Sequence, residues 1–302
     1  MQVRLEGIFA AAVTAARTDG QVDRARTRAH VERLLAGGCH GVALFGTTGE
    51  AASFTIAERK AMLEELVGAG IPAERILPGV GLCARDDTLT LARHALELGC
   101  RHLLMLPPFF YKGVSDAGVA AAFAEVMERL PAEARVILYH FPKVSAVPIT
   151  PEVVTSLRER FGPMVTGIKD SSADLEHTLS LVRAFPDLAV FPGADHHLLT
   201  VLQAGGAGSI SAAANLNGAG SRKVFDLFKA GDAAAAEAAQ VQVTAVRKAV
   251  EGGPLIPSIK ALLALRLDDP EWRRVRPPLV ELADDSGLAE AKAALAKVET
   301  KV

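Results

Sequence analysis

The sequence predicts a (β/α)8 (TIM) barrel with a C-terminal helical subdomain, and three observations carry that prediction. Eight short apolar runs recur at fairly even spacing, segments of helical period lie between them, and the pattern changes near residue 230. Eight strands is the number that closes such a barrel. A doubly wound open sheet is the competing arrangement, but no GxGxxG follows the first strand.

The first run is GIFAAAVTA (7–15), followed by GVALFG (41–46), RILPGVG (75–81) and HLLMLP (102–107). RVILYHFP (135–142), VTGIKDS (165–171), LAVFPGA (188–194) and GSISA (208–212) complete the set. Each is continuously apolar and ends in Gly, Pro or polar residues, as a strand buried on both faces of a parallel sheet does. Between them, Val31, Leu34 and Leu35 follow i, i+3, i+4, as do Leu63, Leu66 and Val67, and Leu91, Ala95 and Leu98 follow i, i+4, i+7. These are helices with one apolar face. Residues 1–230 therefore read as the barrel and 231–302 as a helical extension. In the extension an alanine-rich helix ends at Gly252–Gly253–Pro254, and 258–267 and 286–299 form two more helices. No linker sets them apart, so they are expected to pack on the barrel.

Composition narrows the class of partner. The chain has 302 residues, 50% hydrophobic and 23% charged, with 33 Lys+Arg against 35 Asp+Glu. That supports a substantial core and leaves no cationic surplus for a phosphate backbone, so a nucleic-acid binder is not expected. Three cysteines, Cys39, Cys83 and Cys100, form no CxxC or Cys/His cluster. They read as thiols in a reducing compartment, not as a zinc site. The longest apolar stretches, Gly7–Ala16 and Val136–Phe141, fall short of the ~20 residues of a membrane span. Residues 1–16 carry a faint signal-peptide pattern, but Glu6 interrupts it and the apolar run is mostly alanine. A cytoplasmic protein is expected.

In such a barrel, chemistry gathers at the C-terminal ends of the strands. Lys169 stands inside an otherwise apolar strand, where burying an ammonium costs several kcal/mol and favours the neutral amine. A neutral lysine amine is a nucleophile toward ketones. The structural alternative is a lysine that snorkels out or pairs with Asp170. Tyr139 lies one βα unit earlier, where a phenol can carry protons for the lysine. Gly46-Thr47-Thr48-Gly49-Glu50 reads as a tight turn exposing N–H groups and two hydroxyls, suited to a carboxylate. Next to it, Thr55 and Glu58 form a capping-box pattern. Gly205–Gly208 is a weak phosphate signal without an adjacent cation. His196–His197 with Asp195 lacks a third metal ligand, so a hydroxyl-binding or solvated role is favoured.

These motifs together resemble the dihydrodipicolinate synthase / N-acetylneuraminate lyase family of Schiff-base, pyruvate-handling enzymes. The carrying residues are Gly46-Thr47-Thr48-Gly49-Glu50, Tyr139-His140-Phe141-Pro142, Gly167-Ile168-Lys169-Asp170 and Gly205-Gly206-Ala207-Gly208-Ser209-Ile210-Ser211, in order from about residue 8 to 265. The resemblance implies a homotetramer (a dimer of dimers) with no metal or organic cofactor. It implies that Lys169 condenses with pyruvate or another 2-oxo acid and that Tyr139 shuttles protons. Thr47 and Thr48 would hold the pyruvyl carboxylate, with Thr48 also in the proton relay, and Ile210 would lie near bound pyruvate. Gly193, Asp195 and Ser211 fall where the sialic-acid lyase branch contacts the distal part of its substrate.

The sequence also departs from the pattern. Val144 stands where the synthases carry an arginine for the second substrate's carboxylate, which disfavours the lysine-biosynthetic reaction. Phe110 stands where most members place a tyrosine donated across the dimer interface, leaving Tyr111 or water as its substitute. Ala15 replaces a proline after the first strand. The resemblance thus implies a class I lyase performing aldol cleavage or condensation with pyruvate. The alternatives are a 2-oxo-3-deoxy sugar acid dehydratase using the same imine and a non-catalytic barrel that binds 2-oxo acids. A metal-dependent aldolase is disfavoured for want of a ligand cluster.

Overall fold

Every apolar run forms a strand, shorter than the run that marks it. In the computed structural model, which describes residues 4–299, these are β1 (Gly7–Ala11), β2 (Gly41–Leu44), β3 (Ile76–Pro78), β4 (His102–Met105), β5 (Arg135–His140), β6 (Val165–Asp170), β7 (Ala189–Pro192) and β8 (Gly208–Ser211). The apolar residues left over continue into the loops above the strands, where they are buried as well: Val13 and Ala15 are inaccessible. Only part of the signal-like segment 1–16 falls among the described residues, and its Gly7–Ala11 is buried strand.

All pairings are parallel and form two four-stranded arcs, β3-β2-β1-β8 and β4-β5-β6-β7. Each seam is crossed by a backbone bond. Val80 N–H donates to Leu104 O at 2.9 Å, and Ala207 N–H donates to Val190 O at 2.9 Å. The strands at the seams end in Pro78 and Pro192, which have no N–H to extend a ladder. At the other end of the barrel, Gly208 has φ +138° and a Cβ there would lie 1.9 Å from Gly7 O. Only glycine fits. The 205–208 glycine run thus serves the β1–β8 contact on the face opposite the strand ends that could carry chemistry, with Arg4 donating to Gly205 O at 2.8 Å. It is no phosphate loop at the mouth.

The outer helices are α1 (Arg24–Ala36), α2 (Ile56–Gly68), α3 (Arg85–Glu97), α4 (Asp116–Met127), α5 (Pro142–Ser145), α6 (Pro151–Phe161), α7 (Leu175–Ala184), α8 (Leu198–Gln203) and α9 (Ala214–Lys229). Then follow α10 (Ala233–Glu251), α11 (Leu255–Leu267) and α12 (Ala289–Glu299). Side chains of Asp23, Ser115, Thr150, Asp174 and Asp232 cap α1, α4, α6, α7 and α10. The capping box of Thr55 and Glu58 forms as its spacing predicts. The helix expected over 258–267 starts three residues earlier, and that over 286–299 opens with a 3-10 turn.

Three apolar groups fill the fold. One lies between the strands and the outer helices. A second fills the barrel, where Phe9 and Phe191 meet edge-to-face at 5.9 Å among Ile137, Tyr139 and Ile210. The third joins Val246, Val250, Ile259, Leu262 and Trp272 to Val13, Ala15 and Ala212 beyond β1 and β8. This shared core fixes the last turns of α10 over the barrel mouth.

Candidate active site

β5 and β6 run in register with Tyr139 opposite Lys169 and His140 opposite Asp170. Side chains alternate along a strand, so the first pair points into the barrel and the second outward. Lys169 is 3% exposed, and its Nζ lies 4.2 Å from the Tyr139 ring centroid. Asp170 is not its counter-ion. Behind the barrel wall Asp170 accepts from Thr178 Oγ1 at 2.7 Å and Ser172 N at 2.9 Å, and bonds His177 Nδ1 at 3.0 Å.

Burial pushes the Asp170 carboxyl up, but the bonds from His177, Thr178 and Ser172 outweigh it and hold it below the usual carboxylate range. The same bond from Asp170 raises His177. His140, whose Nδ1 accepts the Ile149 N–H at 2.9 Å, is pushed down to about 4 by burial. His140, Asp170 and His177 are close enough to suggest a metal. Their imidazoles are stacked 4.7 Å apart and nearly parallel at 22°, so the in-plane lone pairs do not converge on one point. The cluster is a hydrogen-bonded brace.

The turn after β2 is strained at both ends, with φ +52° at Phe45 and +55° at Glu50. Such positions cost about 1–3 kcal/mol each and persist where the surroundings enforce them. Here Thr14 Oγ1 donates to Gly49 O at 2.9 Å. Glu50 is buried between Lys260 Nζ at 2.6 Å and the Arg276 N–H at 2.8 Å. Held this way, Thr47 Oγ1 meets the Tyr139 hydroxyl at 3.1 Å. Among the described residues, the N–H groups of Thr47 and Thr48 donate to no protein acceptor, which leaves a nest for an anion. The hydroxyl that meets Tyr139 is that of Thr47, and no bond joins Thr48, which the resemblance adds to the proton relay, to Tyr139 among the described residues. Thr48 lines the lysine's cavity instead.

Tyr139 is the wall between two cavities. On one side, about 200 Å³ is lined by Lys169, Thr48, Gly193 and Ile210, with Arg247 and Glu251 of α10. That volume suits a small oxo acid better than a drug-sized ligand. A Cβ at Gly193 would lie 2.3 Å from Ser171 Oγ, so a larger residue there would turn that hydroxyl away. On the other side, about 310 Å³ is lined mainly by apolar groups including Phe45, Leu106, Phe109 and Val144, with Thr47 at its edge.

Three expected contact residues lie elsewhere. Ile210 points inward, so its neighbour Ser211 points out and donates to Asp195. Asp195 also accepts from Ser221 Oγ at 3.2 Å and is completely enclosed, which raises its pKa. These groups tie β7, β8 and α9 together and do not face the cavity. With its carboxylate engaged there, Asp195 makes no metal set with His196 and His197, whose rings meet edge-on at 4.2 Å. Tyr111 is 74% exposed against Phe110 at 72%, and it lines neither cavity of its own chain. Conversely, Arg247, Glu251 and Lys260 were not singled out by motif. Arg247 shares the buried stripe of Val243, Val246 and Val250, and an arginine on an apolar helical face is a readable signal.

Residues 4–297 match the model of the dihydrodipicolinate synthetase family. The chain belongs to that family. As a member it is an enzyme of the lyase class. An uncharacterized DapA-like lyase of Chloroflexus aurantiacus is 37% identical over 294 residues, 97% of this chain and 96% of the relative. Among solved structures, a dihydrodipicolinate synthase of Agrobacterium tumefaciens superposes with TM-score 0.85 at 32% identity, covering 97% and 98% of the two chains. The E. coli prophage protein YagE, a member of the dihydrodipicolinic acid synthase family solved in complex with pyruvate, gives 0.88 at 27%, with the same coverage. This family fold is the TIM barrel with C-terminal helices described above. Among the described residues, no helix is long and apolar enough to cross a membrane.

Proposed function

We propose that this family member is a class I lyase in which Lys169 forms an imine with pyruvate or another 2-oxo acid for aldol cleavage or condensation. The observation that carries the reading is the buried Lys169 amine against Tyr139, whose hydroxyl is bonded to Thr47 beside two free N–H groups. The Lys169 nitrogen attacks the keto carbon. Tyr139, paired with Thr47, gives the carbinolamine oxygen the proton with which it leaves as water. The resulting iminium draws the electron pair of the breaking or forming carbon–carbon bond, and the Thr47–Thr48 turn holds the carboxylate. Val144 offers no cation to a second substrate's carboxylate, which supports a reaction other than the lysine-biosynthetic one. A dehydratase would use the same imine and differ in the bond that breaks.

Borohydride added with pyruvate is expected to fix a reduced adduct on Lys169 in the wild type and none in Lys169→Ala, which keeps its fold by circular dichroism. A wild-type chain that gains no mass on Lys169 would refute the imine and leave a non-catalytic barrel. We also read the protein as a cytoplasmic homotetramer. The exposed Phe110, Tyr111 and Val144 near the apolar cavity support a contact between copies there, and sedimentation of the intact chain checks it.

A further inference from the structure

The lysine cavity holds more positive charge than the imine chemistry uses. Besides the nucleophilic Lys169, its charged lining is Lys143 and Arg247 against Glu251, two cations and one anion. Condensation with pyruvate sets the iminium of Lys169 against pyruvate's own carboxylate. Among the groups that line the cavity, Lys143 and Arg247 then face only Glu251, one cation in excess. Asp195, whose charge Arg247 also feels, lies behind the wall, bonded to Ser211 and Ser221 and raised by its complete enclosure. Arg247 is buried, at 7% exposure, and a buried guanidinium needs compensating partners. Its Nε and Nη2 donate to one oxygen of Glu251 at 2.8 and 2.5 Å, and its Nη1 donates to Gly193 O at 3.3 Å. Three of five N–H donors are engaged, and two remain for a ligand. Lys143 stands exposed at the rim of the same cavity, while its neighbour Val144 turns to the other one.

We infer that Arg247, with Lys143 at the rim, binds a carboxylate at the far end of the substrate, so that the preferred 2-oxo acid is a short dicarboxylate without an ammonium group. An uncharged hydroxylated chain leaves the excess cation unmatched, and an ammonium adds another. Glu251 orients the guanidinium and limits its net attraction for the anion. The inference rests on the imine reading for where the substrate's other end sits, but the carboxylate subsite can be measured without turnover.

The experiment compares a five-carbon 2-oxo dicarboxylic acid with the 2-oxo monocarboxylic acid of equal length, by calorimetric binding and by borohydride trapping on the intact protein. The wild type is expected to bind the dicarboxylate about tenfold tighter or more, the least that a charge-assisted hydrogen bond contributes. That ratio collapses toward one in Arg247→Met, falls in Lys143→Gln, and rises in Glu251→Gln. Lys143 is exposed and Glu251 half-exposed, so their variants decide the matter even where Arg247→Met does not fold. A wild-type ratio near one, or a ratio unmoved by Lys143→Gln and Glu251→Gln, overturns the inference. If calorimetry shows the ratio but no 2-oxo acid is trapped on Lys169, the imine reading fails and the carboxylate subsite stands.

Discussion

Tyr139 joins three contacts in the site: its ring covers the Lys169 amine, its hydroxyl bonds Thr47, and it lines both cavities. Tyr139→Phe keeps the wall and removes the proton carrier. Turnover is expected to fall about 10²- to 10⁴-fold with melting temperature little changed, as steady-state kinetics and thermal unfolding would show. Equal turnover in the variant would assign the proton transfers elsewhere. At this scale the proposed Lys169–Tyr139 pair was readable, because a lysine in an apolar strand and a tyrosine one unit earlier are visible as letters. The choice between Thr47 and Thr48 was not, since it depends on which hydroxyl the turn rotates toward Tyr139.

The Thr47–Glu50 turn is held from a distant part of the chain. Glu50 and Lys260 are both fully enclosed, 210 residues apart, and their contact docks α11 against the turn proposed to hold the substrate's carboxylate. Burial pulls the Lys260 pKa down, while Glu50 counters it. Removing one partner leaves a buried charge without compensation, so Lys260→Met is expected to lower stability by about 3–5 kcal/mol in denaturant unfolding. A loss below ~1 kcal/mol would mean that water or another group replaces the pair. Motif reading saw Glu50 as part of a turn and Lys260 as one residue of a helix; only packing reveals them as one clamp. By contrast, the strands and the Thr55 cap were legible because apolar runs and capping depend on neighbours in sequence.

For the whole molecule, acid sensitivity follows from histidines that the fold keeps neutral. His30 is pushed down to about 4 by burial, as are His140 and His197. In His30, Arg33 donates to Nδ1 at 3.0 Å, so the ring proton sits on Nε2 and meets Asn215 Oδ1 at 2.9 Å. Unfolded, each takes up a proton near 6.5. Their contribution to stability is therefore full above about pH 6.5 and is lost as pH falls toward 4. His177 is shifted the other way: its contribution is full below about 6.5 and lost as pH rises through its raised pKa. His30→Gln is expected to flatten the fall in stability between pH 6.5 and 4 by up to one proton, about 1.4 kcal/mol per pH unit. An unchanged slope would show that His30 is already protonated in the fold.

The sequence by itself determined the eight strands, the helical extension, the family and the candidate lysine in its apolar strand, because each is written in local periodicity or in a contiguous motif. Tertiary structure alone decided three things. Asp195 and Ser211 bind each other instead of facing the cavity, because strand alternation turns Ser211 outward when Ile210 points in. Tyr111 stays outside both cavities of its own chain. Arg247 and Glu251 reach the lysine cavity because a shared apolar core lays α10 across the barrel mouth. Each depends on where separate segments meet in space, and sequence spacing does not encode a meeting between residues 78 positions apart.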